Sequence, residues 1–158
     1  MNTGRHSERA RRIVVGVDGS AASYEALRWA AGQARVTGAR LEVWGAYDVP
    51  GAAGRSAPAV DAAFDAEHAR QAMTEEIRDV LGGTGDVLLE EHVARGNPAG
   101  VLTEASQGAD LLVVGSRGRG GFASLLLGSV GQQCALHASC PVVIVRPGTT
   151  APAVGSAT

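Results

Sequence analysis

The sequence predicts an α/β domain built on a parallel sheet of five strands with helices on both faces. Three observations predict it. The runs Ile13–Val17, Leu111–Val114 and Val142–Val145 are apolar throughout rather than alternating, as strands covered on both sides are. Segments with helical periodicity separate the strand candidates in a β-α-β-α-β-α-β-α-β order, and right-handed crossovers then require a parallel sheet. The length, 158 residues with 45% apolar and 19% charged, suits one domain with a proper core.

Residues 1–12 are polar and rich in arginine (Arg5, Arg9, Arg11, Arg12), which reads as a flexible basic tail. The first strand, Ile13–Val17, ends in the turn Asp18-Gly19-Ser20. Ser20 or Ser23 caps a helix reaching about Val36, whose Leu27, Ala30, Ala31 and Ala34 give a small-residue face for close packing on a sheet. Gly38 ends it. Leu41–Tyr47 forms the second strand, and Pro50, Gly51, Gly54 and Pro58 mark 48–59 as a loop. Val60–Leu81 is a long helix with Phe64, Met73, Ile77, Val80 and Leu81 turned inward, stopped by Gly82-Gly83-Thr84-Gly85. Val87–Val93 is the third strand. Pro98 stands in the first turn of a short helix, where its missing donor costs nothing, and Gly108 follows that helix. Leu111–Val114 is the fourth strand, Ser129 to about Ala138 the last helix with Ser129 as a potential cap, and Val142–Val145 the last strand. The domain thus spans 13–147. Residues 148–158, rich in Ala, Thr, Gly and Pro, read as a disordered tail.

Composition removes several functions. All 14 basic residues are arginine, so a Walker-A lysine and Schiff-base lysine chemistry are both excluded. Aromatic residues are 4% and the net charge is −2, which argues against a nucleic-acid platform. No apolar run is long enough to span a bilayer and no signal-like segment opens the chain, so no membrane association and a cytoplasmic setting are expected. Cys134 and Cys140 make no disulfide framework. Cys134, His137 and Cys140 have a spacing that suits zinc but lack an evident fourth ligand, so no metal is assigned to them. His6, His68 and His92 stand in no recognisable nucleophile arrangement, and no catalytic residue is assigned.

The chemistry concentrates between Leu111 and Val130. A buried strand there empties into a loop dense in glycine and ends at a Gly-Ser step that opens a helix. Open α/β sheets bind phosphates in such a place, because glycines let backbone N–H groups close on an anion and the helix start favours negative charge. Asp18, at the end of the first strand, can meet ribose hydroxyls or a divalent cation, or can simply hold its own turn. Arg117 and Arg119 can neutralise phosphate charge, or lie solvated.

The spacing Gly115-x2-Gly118-x9-Gly128-Ser129 ties strand end, loop and helix start together. With Val15-Gly16-Val17-Asp18-Gly19-Ser20, Gly96-Asn97-Pro98 and Cys140-Pro141-Val142-Val143-Ile144-Val145, it resembles the universal stress protein family in its ATP-binding branch, over about residues 13–147. The resemblance implies a Rossmann-like sheet of the adenine nucleotide alpha hydrolase type with strand order 3-2-1-4-5. It implies that Gly115, Ser116, Arg117, Gly118, Arg119, Gly120, Gly121, Gly128, Ser129 and Val130 lie on the phosphate side of a bound ATP with Mg2+. It further implies Asp18 at the ribose, Gly16 in the floor, and Ala46 giving main-chain contacts to adenine. Gly45 departs from the family, where many members carry histidine. The family also implies a homodimer paired through Val142, Val143, Ile144 and Val145. Three functions remain open: a nucleotide-dependent stress regulator with slow hydrolysis at most, a nucleotide-hydrolysing enzyme, and a nucleotide-free dimeric adaptor.

Overall fold

A computed structural model describes residues 9–47, 59–118 and 127–153, with the backbone alone for 59–65. Among them, nine elements alternate: β1 (Arg12–Gly16), α1 (Ala21–Thr37), β2 (Arg40–Tyr47), α2 (Ala59–Leu81), β3 (Leu89–Arg95), α3 (Pro98–Ala105), β4 (Leu111–Gly115), α4 (Ser129–His137) and β5 (Val142–Val145). The five strands form one parallel sheet in the order β3-β2-β1-β4-β5. The direction of winding therefore reverses between β1 and β4, and their carboxyl ends open a crevice there.

The apolar runs are buried on both faces, as their lack of alternation requires. Ile13, Val15, Leu41, Val43, Val113 and Val145 point to one side, against Ala26, Leu27, Ala30, Ala31 and Ala34 of α1 and Met73 and Ile77 of α2. Val14, Leu112 and Val114 point to the other, against Leu102 and Ala105 of α3 and Cys134 of α4. The alanine face of α1 lets that helix approach β4 so closely that a Cβ at Gly115 would stand 2.8 Å from the Ala22 backbone. Val80 and Leu81 are half-buried against the first cluster. The side chain of Phe64 lies outside the described residues.

Local signals set the helix ends. Ser20 caps α1, its hydroxyl accepting from the Ser23 N–H at 3.2 Å. Gly38 closes α1 in the left-handed region at φ 70°, where a side chain would be strained. Asn97 caps α3 by accepting from the Ala99 and Gly100 N–H groups, with Pro98 in the first turn.

Several expectations require correction. The third strand runs two residues later than expected, Leu89–Arg95 rather than Val87–Val93. Its sequence, LEEHVAR, carries polar side chains that an apolar-run criterion discounts. Glu91 is nonetheless held from α2 by the Thr74 hydroxyl. Arg12 belongs to β1, not to a solvated tail. Its N–H donates to Asp110 Oδ2 at 2.7 Å, and its guanidinium grips Glu42 through Nε and Nη2 at 2.7 Å each. Residues 1–8 and 154–158 lie outside the described residues, as does the loop stretch 48–58. Beyond the last strand, the Gly148 N–H donates to Glu25 Oε2 at 3.1 Å. Pro152 rests on Gly32 so closely that a Cβ there would meet its carbonyl oxygen at 2.5 Å. The described part of that Ala/Thr/Pro-rich stretch therefore lies along α1.

Candidate functional site

The crevice at the β1/β4 reversal has a volume of about 370 Å³, within the usual range for small-ligand sites. A larger open groove of about 610 Å³ runs between α3 and α4 and shares Ser129 and Val130 with it. The crevice is the stronger candidate, because it brings together the ends of β1, β2 and β4 with the start of α4.

The turn after β1 supplies the acidic wall. Asp18 Oδ1 accepts from the Ser20 N–H at 2.9 Å and from the Ser20 hydroxyl, so the carboxylate does hold its own turn. Its other oxygen faces the opposite loop: a Cβ at Gly118 would come to 2.9 Å from Asp18 Oδ2. Asp18 is exposed and lines the crevice, which makes the turn role and a ligand role compatible. Beneath it, Gly16 forms floor, where a Cβ would meet Leu102 Cδ1 at 2.6 Å.

The segment after β4 supplies the opposite wall. Ser116 is buried and committed: its N–H donates to the Val145 carbonyl at 2.9 Å, and its carbonyl accepts from the Gly128 N–H at 2.8 Å. That second bond draws the two ends of the glycine-rich loop together. It also removes the Gly128 N–H from the donors a ligand can use. Ser116 is thus a brace behind the crevice, while Gly115, Arg117 and Gly118 line it.

At α4 the expected serine cap is replaced by glycine. Gly128 is the N-cap, no side chain among the described residues caps the helix, and Ser129 is its first residue. The first-turn N–H groups of a helix have no partner within it, and those of Ser129, Val130 and Gly131 have no backbone acceptor among the described residues. All three residues line the crevice. An uncapped helix start aimed into a cleft is suited to phosphate oxygens.

The apolar end of the crevice is formed by Trp44 and Ala46 of β2, Pro98 and Leu102 of α3, and Val114 of β4. Of these only Ala46 was named from sequence. Trp44, Pro98, Leu102, Val114 and Gly131 were missed, although period-2 alternation already placed Trp44 on the Ala46 side of its strand. Arg119, Gly120 and Gly121 lie outside the described residues. So the structure brings Gly16, Asp18, Ala46, Gly115, Arg117, Gly118, Gly128, Ser129 and Val130 to one crevice, and sets Ser116 behind it.

Beyond the crevice, Cys134 is fully buried while His137 is exposed, and with Cys140 they do not converge as ligands would. Burial pushes the Cys134 thiol up to about 11. On the α3 side of β2 and β3, Glu42 is 4% exposed and receives Arg12, Arg40 and the indole N–H of Trp44. The Arg12 hydrogen bonds, which outweigh burial, hold its carboxyl at about 2. No helix among the described residues is long and apolar enough to cross a membrane.

Comparisons with known proteins agree with this architecture. A universal stress protein of Mycobacterium tuberculosis strain H37Rv is 37% identical over 141 residues, covering 87% of this chain and 46% of that protein. The chain thus spans about half the length of the first curated relatives it matches. Among solved structures, a universal stress protein in complex with cAMP is 32% identical with a TM-score of 0.64, covering 87% of this chain and 97% of the other. The universal stress protein from Archaeoglobus fulgidus in complex with dAMP is 25% identical with a TM-score of 0.57, covering 85% and 96%. The Universal stress protein family profile matches residues 9–146, and the chain belongs to that family.

Proposed function

We propose that this chain binds ATP with Mg2+ in the β1/β4 crevice and serves as a nucleotide-dependent regulator of a stress response. The observation that carries the reading is the meeting of an uncapped helix start and an acidic turn across one cleft. The N–H groups of Ser129 and Val130 would take phosphate oxygens, and Arg117 would offset their charge. Asp18 would receive ribose hydroxyls or help hold the cation. Gly118 lets the opposite loop come close to the Asp18 carboxylate, which a Cβ there would meet at 2.9 Å, so the two walls of the crevice stand close together at this point. Mg2+ would supply further neutralisation of the phosphates. Relatives solved with cAMP and dAMP support an adenine nucleotide as the ligand.

Hydrolysis is slow at most on this reading. Asp18 is the one carboxylate among the described lining residues, and it is tied to Ser20. Nothing else there is a ready base to orient water, and the sequence has no lysine to reach the outer phosphate. We further propose a cytoplasmic homodimer paired through the outer edge of β5, Val142–Val145, which ends the sheet order.

Thermal denaturation with Mg-ATP tests the reading. A ligand at about 100 times its dissociation constant adds about 2.7 kcal/mol, which raises the midpoint of a domain this size by roughly 5–10 °C. An unchanged midpoint at saturating Mg-ATP would contradict it and leave the adaptor reading. Rapid multiple turnover would instead favour the enzyme.

A further inference from the structure

We propose that Trp44 is the base-selecting residue of the crevice: its indole forms the wall that favours a purine over a pyrimidine, and His92 holds that wall in position. The inference rests on the nucleotide reading of the same crevice. The cleft has two chemically distinct ends. Asp18, Gly118, Ser129 and Val130 make one end charged and rich in amides, whereas Trp44, Ala46 and Leu102 make the other apolar. A phosphorylated ligand that docks its anion at the first directs its ring system to the second. Trp44 is the one aromatic side chain among the described lining residues. Its register partner on β1 is Gly16, over which Leu102 of α3 is packed, so Trp44 and Leu102 together close this end of the cleft.

The indole is unusually well fixed for a half-buried side chain. It stacks on His92 of β3, with ring centroids 4.4 Å apart and planes 15° from parallel. Its Nε1–H donates to Glu42 Oε2 at 3.3 Å, and Glu42 is itself clamped by Arg12 and Arg40. A side chain already ordered before binding loses little freedom when a ligand arrives. Aromatic contact grows with the area of the base, so two fused rings gain more from this wall than one.

Equilibrium dialysis of the full chain against ATP, CTP and inorganic tripolyphosphate tests the proposal. Wild type should prefer ATP over CTP by about tenfold or more, the scale of one good ring contact. Trp44→Leu should bring ATP down to the level of CTP while leaving tripolyphosphate binding in place, and Trp44→Phe should keep most of the preference. His92→Ala should narrow the ATP/CTP ratio, and His92→Phe, which restores a stacking partner, should recover it. Should Trp44→Leu fail to fold, the fluorescence of a Trp29→Phe chain, in which Trp44 is the only tryptophan, excited on the red edge where tyrosine does not absorb, still decides. ATP should quench it and tripolyphosphate should not. The proposal is overturned by an unchanged ATP/CTP ratio in folded Trp44→Leu, by equal binding of ATP and CTP to wild type, or by Trp44 emission indifferent to ATP. Wild type that binds neither ATP nor tripolyphosphate overturns the nucleotide reading and this inference together.

Discussion

Glycine 118 and glutamate 42 show how single residues divide between ligand and fold. Gly118 has no backbone need for glycine, since its φ is not in the left-handed region. What its missing Cβ preserves is the gap to Asp18 Oδ2, which the methyl would narrow to 2.9 Å. Gly118→Ala should therefore lower nucleotide affinity tenfold or more, by calorimetric titration, with the melting midpoint of the free protein little changed. Equal affinity would remove Gly118 from the site. Glu42 belongs to the fold. Its carboxyl is held at about 2, below the ordinary 4.5, by hydrogen bonds from Arg12. A carboxyl depressed on folding contributes stability above its unfolded pKa and loses it as pH falls toward the folded value. Glu42→Gln should cost about 3 kcal/mol at pH 7, roughly 6–12 °C in midpoint, and the gap from wild type should close between about pH 5 and pH 2. A gap constant across that range would contradict the ion-pair account.

Among the elements, α4 and β4 show what sequence patterns can and cannot reach. The Gly-Ser step correctly marked the start of α4, because the capping preferences of both residues point there. Which of the two would cap was not readable, since that depends on the Gly128 N–H finding the Ser116 carbonyl across the loop. The glycine at the end of β4 reads as part of a phosphate cradle; it lines the crevice and is also packed against the first turn of α1. Gly115→Ala forces that backbone away, and should destabilise the nucleotide-free protein by about 1–3 kcal/mol in urea unfolding. Full stability in this variant would mean that α1 and β4 are packed less tightly than described. The shift of β3 has a similar origin. Its side chains are held by partners on α2 and β2, Glu91 by the Thr74 hydroxyl and His92 by stacking on Trp44, which no local pattern reveals.

For the whole molecule, the order of strands and helices was readable because each apolar run is short, β-branched and bounded by glycine, proline or a capping residue. Strand adjacency came from resemblance to the family, and the parallel sheet in the order β3-β2-β1-β4-β5 agrees with it. The position of the crevice then follows from topology alone, at the reversal between β1 and β4. Its lining was only half readable. Asp18, Gly118, Gly128 and Ser129 lie close in sequence to strand ends. Trp44, Leu102 and Pro98 reach the cleft only because β2 and α3 flank β1 in space. The polar network of Arg12, Glu42, Arg40 and Trp44 was invisible for the same reason, joining residues from β1 and β2 that composition assigns to tail and surface.

The central claim is that the start of α4 and the turn after β1 grip one nucleotide from opposite sides. A crystal structure of the chain soaked with a non-hydrolysable ATP analogue and Mg2+ tests it most directly. The account predicts phosphate oxygens within hydrogen-bonding distance of the Ser129 and Val130 N–H groups, and Asp18 at the ribose or the cation. A nucleotide seated in the α3/α4 groove, or a β1/β4 crevice left without one, would contradict it.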